Sequence, residues 1–256
     1  MAIVTLTSDF GWDDHYLAVV KGYLVSSTPD LNILDISHNV KNFDIVQAAF
    51  IFKNAWRSFP VGSIHLLLVN DLARSELSYL LIKQFDQFFI CPDNGMLGLI
   101  FEQPKGQIYR LPLPDKQKKT TFKHILALTV NRITRKVPLE QLGEPTSEII
   151  ERFTVRPIIS KDFIRGSIVY IDTYENAISN IHKSLFDKVG KKRPFEISFK
   201  RHPPITQLSQ HYSDVEVGHP LSLFNEAGFL EIAINMGTAA SLLAIRIEDM
   251  LQIDFK

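Results

Sequence analysis

Two carboxylates, Asp9 and Asp14, flank the glycine of the segment Thr5-Leu6-Thr7-Ser8-Asp9-Phe10-Gly11-Trp12-Asp13-Asp14-His15-Tyr16. The β-rich run before them (Ile3, Val4, Leu6) predicts a strand that ends at Asp9, and Asp14 is expected to cap the helix that carries Lys21-Gly22. In α/β sheets ligands dock beyond the carboxyl ends of strands, where a carboxylate can accept two hydrogen bonds from neighbouring hydroxyls. A ribose diol suits such an acid. The same residues also suit a helix cap and a turn, and both readings stand at this point.

Other chemistries lack their parts. The chain has no Gly-x-Gly-x-x-Gly, no Walker loop and no Gly-x-Ser-x-Gly elbow. Its eight histidines are scattered, with no His-Glu-x-x-His, so no metal site is predicted. His65, inside the apolar run that ends at Val69, is expected in the core or at an interface rather than as a ligand. Cys91 is the one cysteine, which excludes an internal disulfide, and nothing close in sequence would activate its thiol. The Pro92-Asp93-Asn94-Gly95 stretch reads as a turn.

These residues must be positioned by something. A chain of 256 residues suits two domains. Through about residue 157, β-rich and helical runs alternate as in α/β layering, with strands expected at 2–7, 32–36, 63–69, 79–83, 88–91 and 107–110 and helices at 13–26, 42–55, 94–101 and 122–136. In the second helix Asp44 is the expected cap. From 164 onward, closely spaced strand-like runs at 166–172, 195–200, 215–224, 229–233 and 244–247 predict a smaller all-β, barrel-like domain. The fold class is therefore an α/β domain over 1–157 followed by a β domain over 164–256. Lysine plus arginine and aspartate plus glutamate both number 28, so no long-range field favours nucleic acid or an anionic membrane. Apolar runs are strand-sized and the chain opens on a strand without a leader pattern, which predicts a cytoplasmic protein.

Four segments in order resemble the S-adenosyl-L-methionine (SAM) hydroxide adenosyltransferase family, which holds the adenosine-forming SAM hydrolases, the fluorinase and the chlorinase. They are Thr7–Gly11 with Asp14 and Lys21-Gly22; Leu34-Asp35-Ile36-Ser37-His38 with Phe43-Asp44-Ile45; Pro92–Gly95; and Ile171–Asn176 with Ser179-Asn180-Ile181 and the run Asn225–Ala233. The resemblance implies an α/β domain and a smaller β domain, and a homotrimer holding SAM between the N-terminal domain of one subunit and the C-terminal domain of its neighbour. It implies attack at ribose C5′ with methionine leaving, and no metal or cofactor. Carried over by position, Asp9 matches the acid that grips the ribose hydroxyls and Asp14 the second acid of that motif, Phe43 an aromatic by the sugar and sulfonium, and Asp172 the acid on the methionine amino group. Tyr174 and Asn176 fall beside adenine, Tyr212 is a candidate stacking ring, and Asn235 and Met236 offer backbone contacts to the purine edge.

The chain departs from the pattern at three places. Where the hydrolases carry Asp-Pro-Gly-Val-Gly and then an arginine, this chain has Asn70-Asp71-Leu72-Ala73-Arg74-Ser75-Glu76-Leu77, with Asn70 at the acid position and Leu77 at the arginine position. Asp71 and Arg74 replace the lost groups only if the loop takes another path. The second catalytic segment is shortened to Thr121-Phe122-Lys123-His124, and His124 stands either near the family histidine or in place of an aspartate further on. Glu226 occupies a serine position that meets the substrate carboxylate, where an acid repels it unless protonated or paired. The sequence thus predicts a divergent SAM hydrolase with Asp71, Arg74 and His124 around the attacking water, or else a catalytically weakened protein that binds SAM or adenosine.

Overall fold

The computed structural model describes residues 1–70, 78–114 and 121–256. Asp71 and Arg74, two of the three expected catalytic residues, lie outside the described residues. The chain forms two compact units, Met1–Thr154 and Val155–Lys256.

In the first unit, β1 (Ala2–Ser8) leads through α1 (Tyr16–Ser27) to β2 (Leu31–Ser37), and α2 (Ile45–Ala55) leads to β3 (Ile64–Leu68). A hairpin of β4 (Tyr79–Gln84) and β5 (Gln87–Pro92) follows, then α3 (Met96–Ile100), β6 (Ile108–Arg110), α4 (Phe122–Thr134) and β7 (Glu144–Thr146). The sheet order is β2-β1-β3-β5-β4-β6-β7, parallel from β2 to β5 and antiparallel beyond. Apolar residues of α1 and α4 share one core, with Leu17, Val20 and Leu24 inward, and those of α2 and α3 share the other, around Phe52 and Phe89. The helix after β1 and the helix after β2 thus cover opposite faces. Because the chain leaves central β1 toward β2 and returns to β3 on its other side, the carboxyl end of β1 is the switch point where open α/β sheets form a crevice.

Helix starts explain two differences from the sequence reading. Helix α1 begins at Tyr16 with His15 at its N-cap, so Asp14 is an exposed turn residue and caps nothing. The turn from β1 needs the residues up to 14. Helix α2 begins at Ile45, later than expected, because Phe43 has φ +67° and cannot be helical. Asp44 does cap it, its Oδ1 accepting from Val46 N at 3.1 Å and Gln47 N at 2.9 Å.

The second unit contains β8 (Ile158–Ile159), β9 (Phe163–Ile171), β10 (Ala177–His182), α5 (Lys183–Gly190), β11 (Phe195–Phe199), β12 (Pro220–Phe224), β13 (Phe229–Ile234), α6 (Ala239–Leu242) and β14 (Met250–Phe255). Its antiparallel sheet runs β11-β14-β9-β10-β13-β12, with β8 on β9, over a core that includes Ile164, Ile197, Leu230, Ile232 and Ile253. The unit is β-rich rather than all-β. Leu185, Phe186 and Val189 seat α5 on the core at helical spacing. The strand expected at 244–247 is a turn with Ala244 at φ +52°, and the strand of that region is β14, which starts at Met250 and alternates between buried and more exposed residues. The strand expected from 215 starts only at Pro220, because Gly218 at φ +84° turns the chain.

Candidate functional site

At the switch point the Asp9 carboxylate is 8 % exposed. Its Oδ2 accepts from Phe43 N at 2.8 Å and Asn70 N at 3.2 Å, and its carbonyl accepts from Asn42 Nδ2 at 3.2 Å. Both amide donors belong to residues in the left-handed region, Phe43 at φ +67° and Asn70 at φ +53°. Such a conformation costs a bulky residue about 1–3 kcal/mol and persists only where neighbours fix it. Asp9 is one such neighbour. Phe43 itself is 67 % exposed. Asparagine tolerates the left-handed region better than most residues, which gives Asn70 a backbone reason for its place.

The Asn94 side chain extends this group: its Nδ2 donates to Val69 O at 3.0 Å and Asn70 O at 3.4 Å, while its Oδ1 accepts from Met96 N at 3.1 Å. Asp93 beside it is buried, with Oδ2 2.8 Å from an Arg110 guanidinium nitrogen and Oδ1 accepting from Ile150 N at 2.8 Å. Cys91 is buried, and burial, with the Asp93 charge, pushes its thiol far above the ordinary range, so it is no nucleophile. Gly95 turns at φ +97°, and a Cβ there would stand 2.5 Å from Arg152 Cγ. Gly95→Ala should therefore lower unfolding free energy by about 1–3 kcal/mol, from backbone strain and overpacking together. Gly218→Ala, at φ +84° with open space around it, should cost less. Urea unfolding of both variants checks this; equal losses would show that Arg152 simply moves aside.

His124 is elsewhere in contact terms. Its Nδ1 accepts from Thr121 N at 3.1 Å in a capping box at the start of α4, and its ring meets Tyr23 edge-on at 4.5 Å. It shares no hydrogen bond or ring contact with Asp9, Phe43 or Asn70 among the described residues. Among the described residues no group of three or more His, Cys, Asp or Glu is placed to hold a metal, and no helix is long and apolar enough to cross a membrane.

In the second unit the loop after β9 folds around Asp172. Its Oδ1 accepts from Tyr174 N at 2.9 Å and Asn176 N at 2.8 Å, and its Oδ2 from Asn176 Nδ2 at 3.1 Å. Asn176 is buried and its side-chain amide donates to Asp172. Tyr174 is 78 % exposed at the loop tip. Asn235 is also committed: its N donates to His219 O at 3.1 Å, its carbonyl accepts from Gly218 N and its Nδ2 donates to Val215 O. Its N–H therefore extends the β12–β13 pairing. Met236, at φ +54°, is exposed at the turn.

Sequence reasoning missed Glu231. It is buried on β13, where Oε1 accepts from the Tyr212 hydroxyl at 2.8 Å and Oε2 from Asn225 Nδ2 at 3.2 Å. Burial raises its carboxyl pKa against those two hydrogen bonds, with the Asp172 charge adding to the rise. Burial and the bond to Glu231 push the Tyr212 phenol upward, and the charges of Glu231, Asp172 and Glu226 reinforce this. Tyr212 is thus fixed by its hydroxyl, and Glu226 sits exposed on the adjacent β12–β13 turn. An acid inside the apolar run Phe229–Ala233 was the available signal.

These features define a class: a two-domain protein whose doubly wound α/β unit presents a clamped carboxylate at its switch point, joined to a β-rich unit with an acid-centred loop. Residues 4–143 match the SAM hydroxide adenosyltransferase N-terminal domain and residues 166–252 the C-terminal domain of that family. The chain belongs to the SAM hydroxide adenosyltransferase family. It is 26% identical, over 98% of its own length and 95% of the relative's, to the (R)-S-adenosyl-L-methionine hydrolase of Methanocaldococcus jannaschii. It is 24% identical to the fluorinase of Nocardia brasiliensis, over 93% of this chain and 92% of that protein. A crystal structure of a conserved Thermotoga maritima protein superposes with a TM-score of 0.85 at 26% identity, covering 98% of this chain and 99% of that one.

Proposed function

We propose that this protein is a SAM hydrolase that converts SAM and water to adenosine and L-methionine. The observation that carries the reading is Asp9, an acid held by two backbone amides at the switch point of a sheet whose family acts on SAM. One carboxylate oxygen is fixed by the protein, and the side chain retains acceptor capacity for a ribose diol. In the reaction a water oxygen forms a bond to C5′ as the C5′–S bond breaks. The sulfur leaves with the electron pair as a neutral thioether, and the water proton passes to solvent or a nearby base. The sulfonium is a good leaving group, so the protein's work is positioning and desolvation. Asp9 and Asp14 are assigned to the ribose side, Phe43 to the sugar and sulfonium, Asp172 to the methionine ammonium, and Tyr174 and Met236 to adenine. Asp71 and Arg74 are the proposed polar groups near the water.

We assign the reaction to a homotrimer in the cytoplasm, each site using the N-terminal domain (1–157) of one subunit and the C-terminal domain (164–256) of its neighbour; the family resemblance supports this arrangement. The capping role of His124 favours a second reading, a SAM or adenosine binder with weak turnover. Incubating the protein with SAM and following adenosine and methionine by chromatography separates the two. Matched release of both products supports the hydrolase, SAM binding without product supports the binder, and no binding refutes both.

Glu226 gives an independent check on orientation. If the ligand carboxylate lies at the β12–β13 turn, Glu226→Ser removes a like-charge repulsion of about 0.5–1 kcal/mol at low salt, tightening SAM two- to fivefold. Adenosine, which has no carboxylate, should bind unchanged, and an equal effect on both would move the methionine end away from this turn.

A further inference from the structure

His38 is buried and takes no part in the reaction as described above, yet it meets Ser8, Gly11 and Trp12 on either side of Asp9. Its Nδ1 lies 2.7 Å from Ser8 Oγ, and that oxygen in turn accepts from Phe10 N at 3.4 Å. Its backbone carbonyl accepts from Gly11 N at 2.9 Å, and its ring meets the Trp12 ring edge-on at 4.7 Å. The residues on both sides of Asp9 therefore rest on one imidazole. On the opposite flank Asp9 is held by Phe43 and Asn70, as described. His38 Nε2 lies 3.0 Å from Asp35 Oδ1, and Asp35 Oδ2 accepts from Lys21 Nζ at 2.7 Å.

The charges fix the protons. Lys21 and Asp35 are the charged groups that act on His38. Burial tends to raise the Asp35 carboxyl, but the hydrogen bonds and charges of Lys21 and His38 outweigh it and hold it ionised below the usual range. A carboxylate only accepts, so Nε2 carries the imidazole proton and Nδ1 accepts from the Ser8 hydroxyl. Burial holds His38 below its ordinary pKa, so this neutral tautomer is the form present at neutral pH. Protonating Nδ1 would put two donors face to face, and the Ser8 hydroxyl would have to turn away.

We propose that neutral His38, acting through Ser8, is a positioning residue that holds the Ser8–Trp12 turn so that Asp9 faces the nucleoside. This rests on the nucleoside reading of Asp9. Where the turn is correctly set only a tenth of the time, apparent affinity falls about tenfold with no contact to the ligand changed.

The test measures adenosine affinity calorimetrically for wild type, His38→Asn, His38→Leu and Ser8→Ala, alongside their thermal unfolding. His38→Asn keeps an acceptor close to Nδ1 and should stay within about threefold of wild type, whereas His38→Leu and Ser8→Ala should lose about tenfold. Wild-type affinity should also fall as the pH drops below the ordinary histidine range and His38 protonates, and Ser8→Ala should be flat over that range. Ser8→Ala removes one hydroxyl, so it keeps the test decisive if His38→Leu does not fold. Wild-type affinity and pH profile in Ser8→Ala, with only the melting temperature changed, overturns the proposal and leaves the nucleoside reading intact. A wild-type protein that binds no adenosine overturns both.

Discussion

Asp9→Ala is expected to weaken adenosine binding by about 1.5–3 kcal/mol, roughly ten- to a hundredfold, the range for hydrogen bonds to a charged group. It should also lower the melting temperature, because the amides of Phe43 and Asn70 lose their acceptor and two left-handed residues lose what fixes them. Asp9→Asn separates the two roles. Its amide oxygen can still accept from the backbone, so most of the stability should return, but the charge offered to the diol is gone and most of the affinity loss should remain. Calorimetric titration with adenosine, paired with urea unfolding, reads both quantities on the same samples. An alanine variant that binds adenosine like wild type would refute the diol role, and an asparagine variant as unstable as alanine would refute the backbone role.

The sequence made the strand end legible because Asp9 follows a β-rich run and precedes a glycine, a local pattern needing no tertiary information. Asp44 was legible as a cap for the same reason. Asp14 was misread since the same residue type serves caps and turns, and only the path of the chain after Asp9 decides between them. Long-range pairings stayed hidden. Nothing local ties Ser8 to His38, Asp9 to Asn70, or Tyr212 to Glu231, each pair being brought together by the sheets. Strand β10 was missed because its Ser179 and Asn180 weaken an apolar run, and Asn180 in fact spends its side chain on Ser167 N and Val155 O. Family resemblance named the acid at Asp172 but not the hydrogen bond that Asn176 donates to it.

Acid should destabilise the first unit through His65, and the direction follows from its proton placement. Gln87 Nε2 donates to Phe59 O at 3.1 Å, which turns Gln87 Oε1 toward His65 Nε2. Nε2 is therefore the protonated nitrogen, and Nδ1 accepts from the Thr5 hydroxyl at 2.7 Å. Burial pushes the imidazole down to about 4, with the Gln87 bond opposing. A group whose folded pKa is depressed leaves the unfolded chain with more bound protons between the two values. Stability from His65 is then complete above its unfolded pKa of about 6.5 and is lost as pH falls toward 4, by about 3 kcal/mol at the low end. His38, also depressed, adds to the loss as pH falls, while Asp35, held below 3.8, contributes only further down. Comparing wild type with His65→Gln by urea unfolding at about pH 7.5 and about pH 4.5 isolates the one histidine. The variant should be less stable at the higher pH, where it lacks the ring packing against Phe52 and Phe89, yet show a shallower fall on acidification. Parallel pH slopes would mean that His65 protonates without cost. Since His65 joins β1 to β3, the strands that deliver Asp9 and Asn70, the same titration should loosen the switch point itself before the whole unit unfolds.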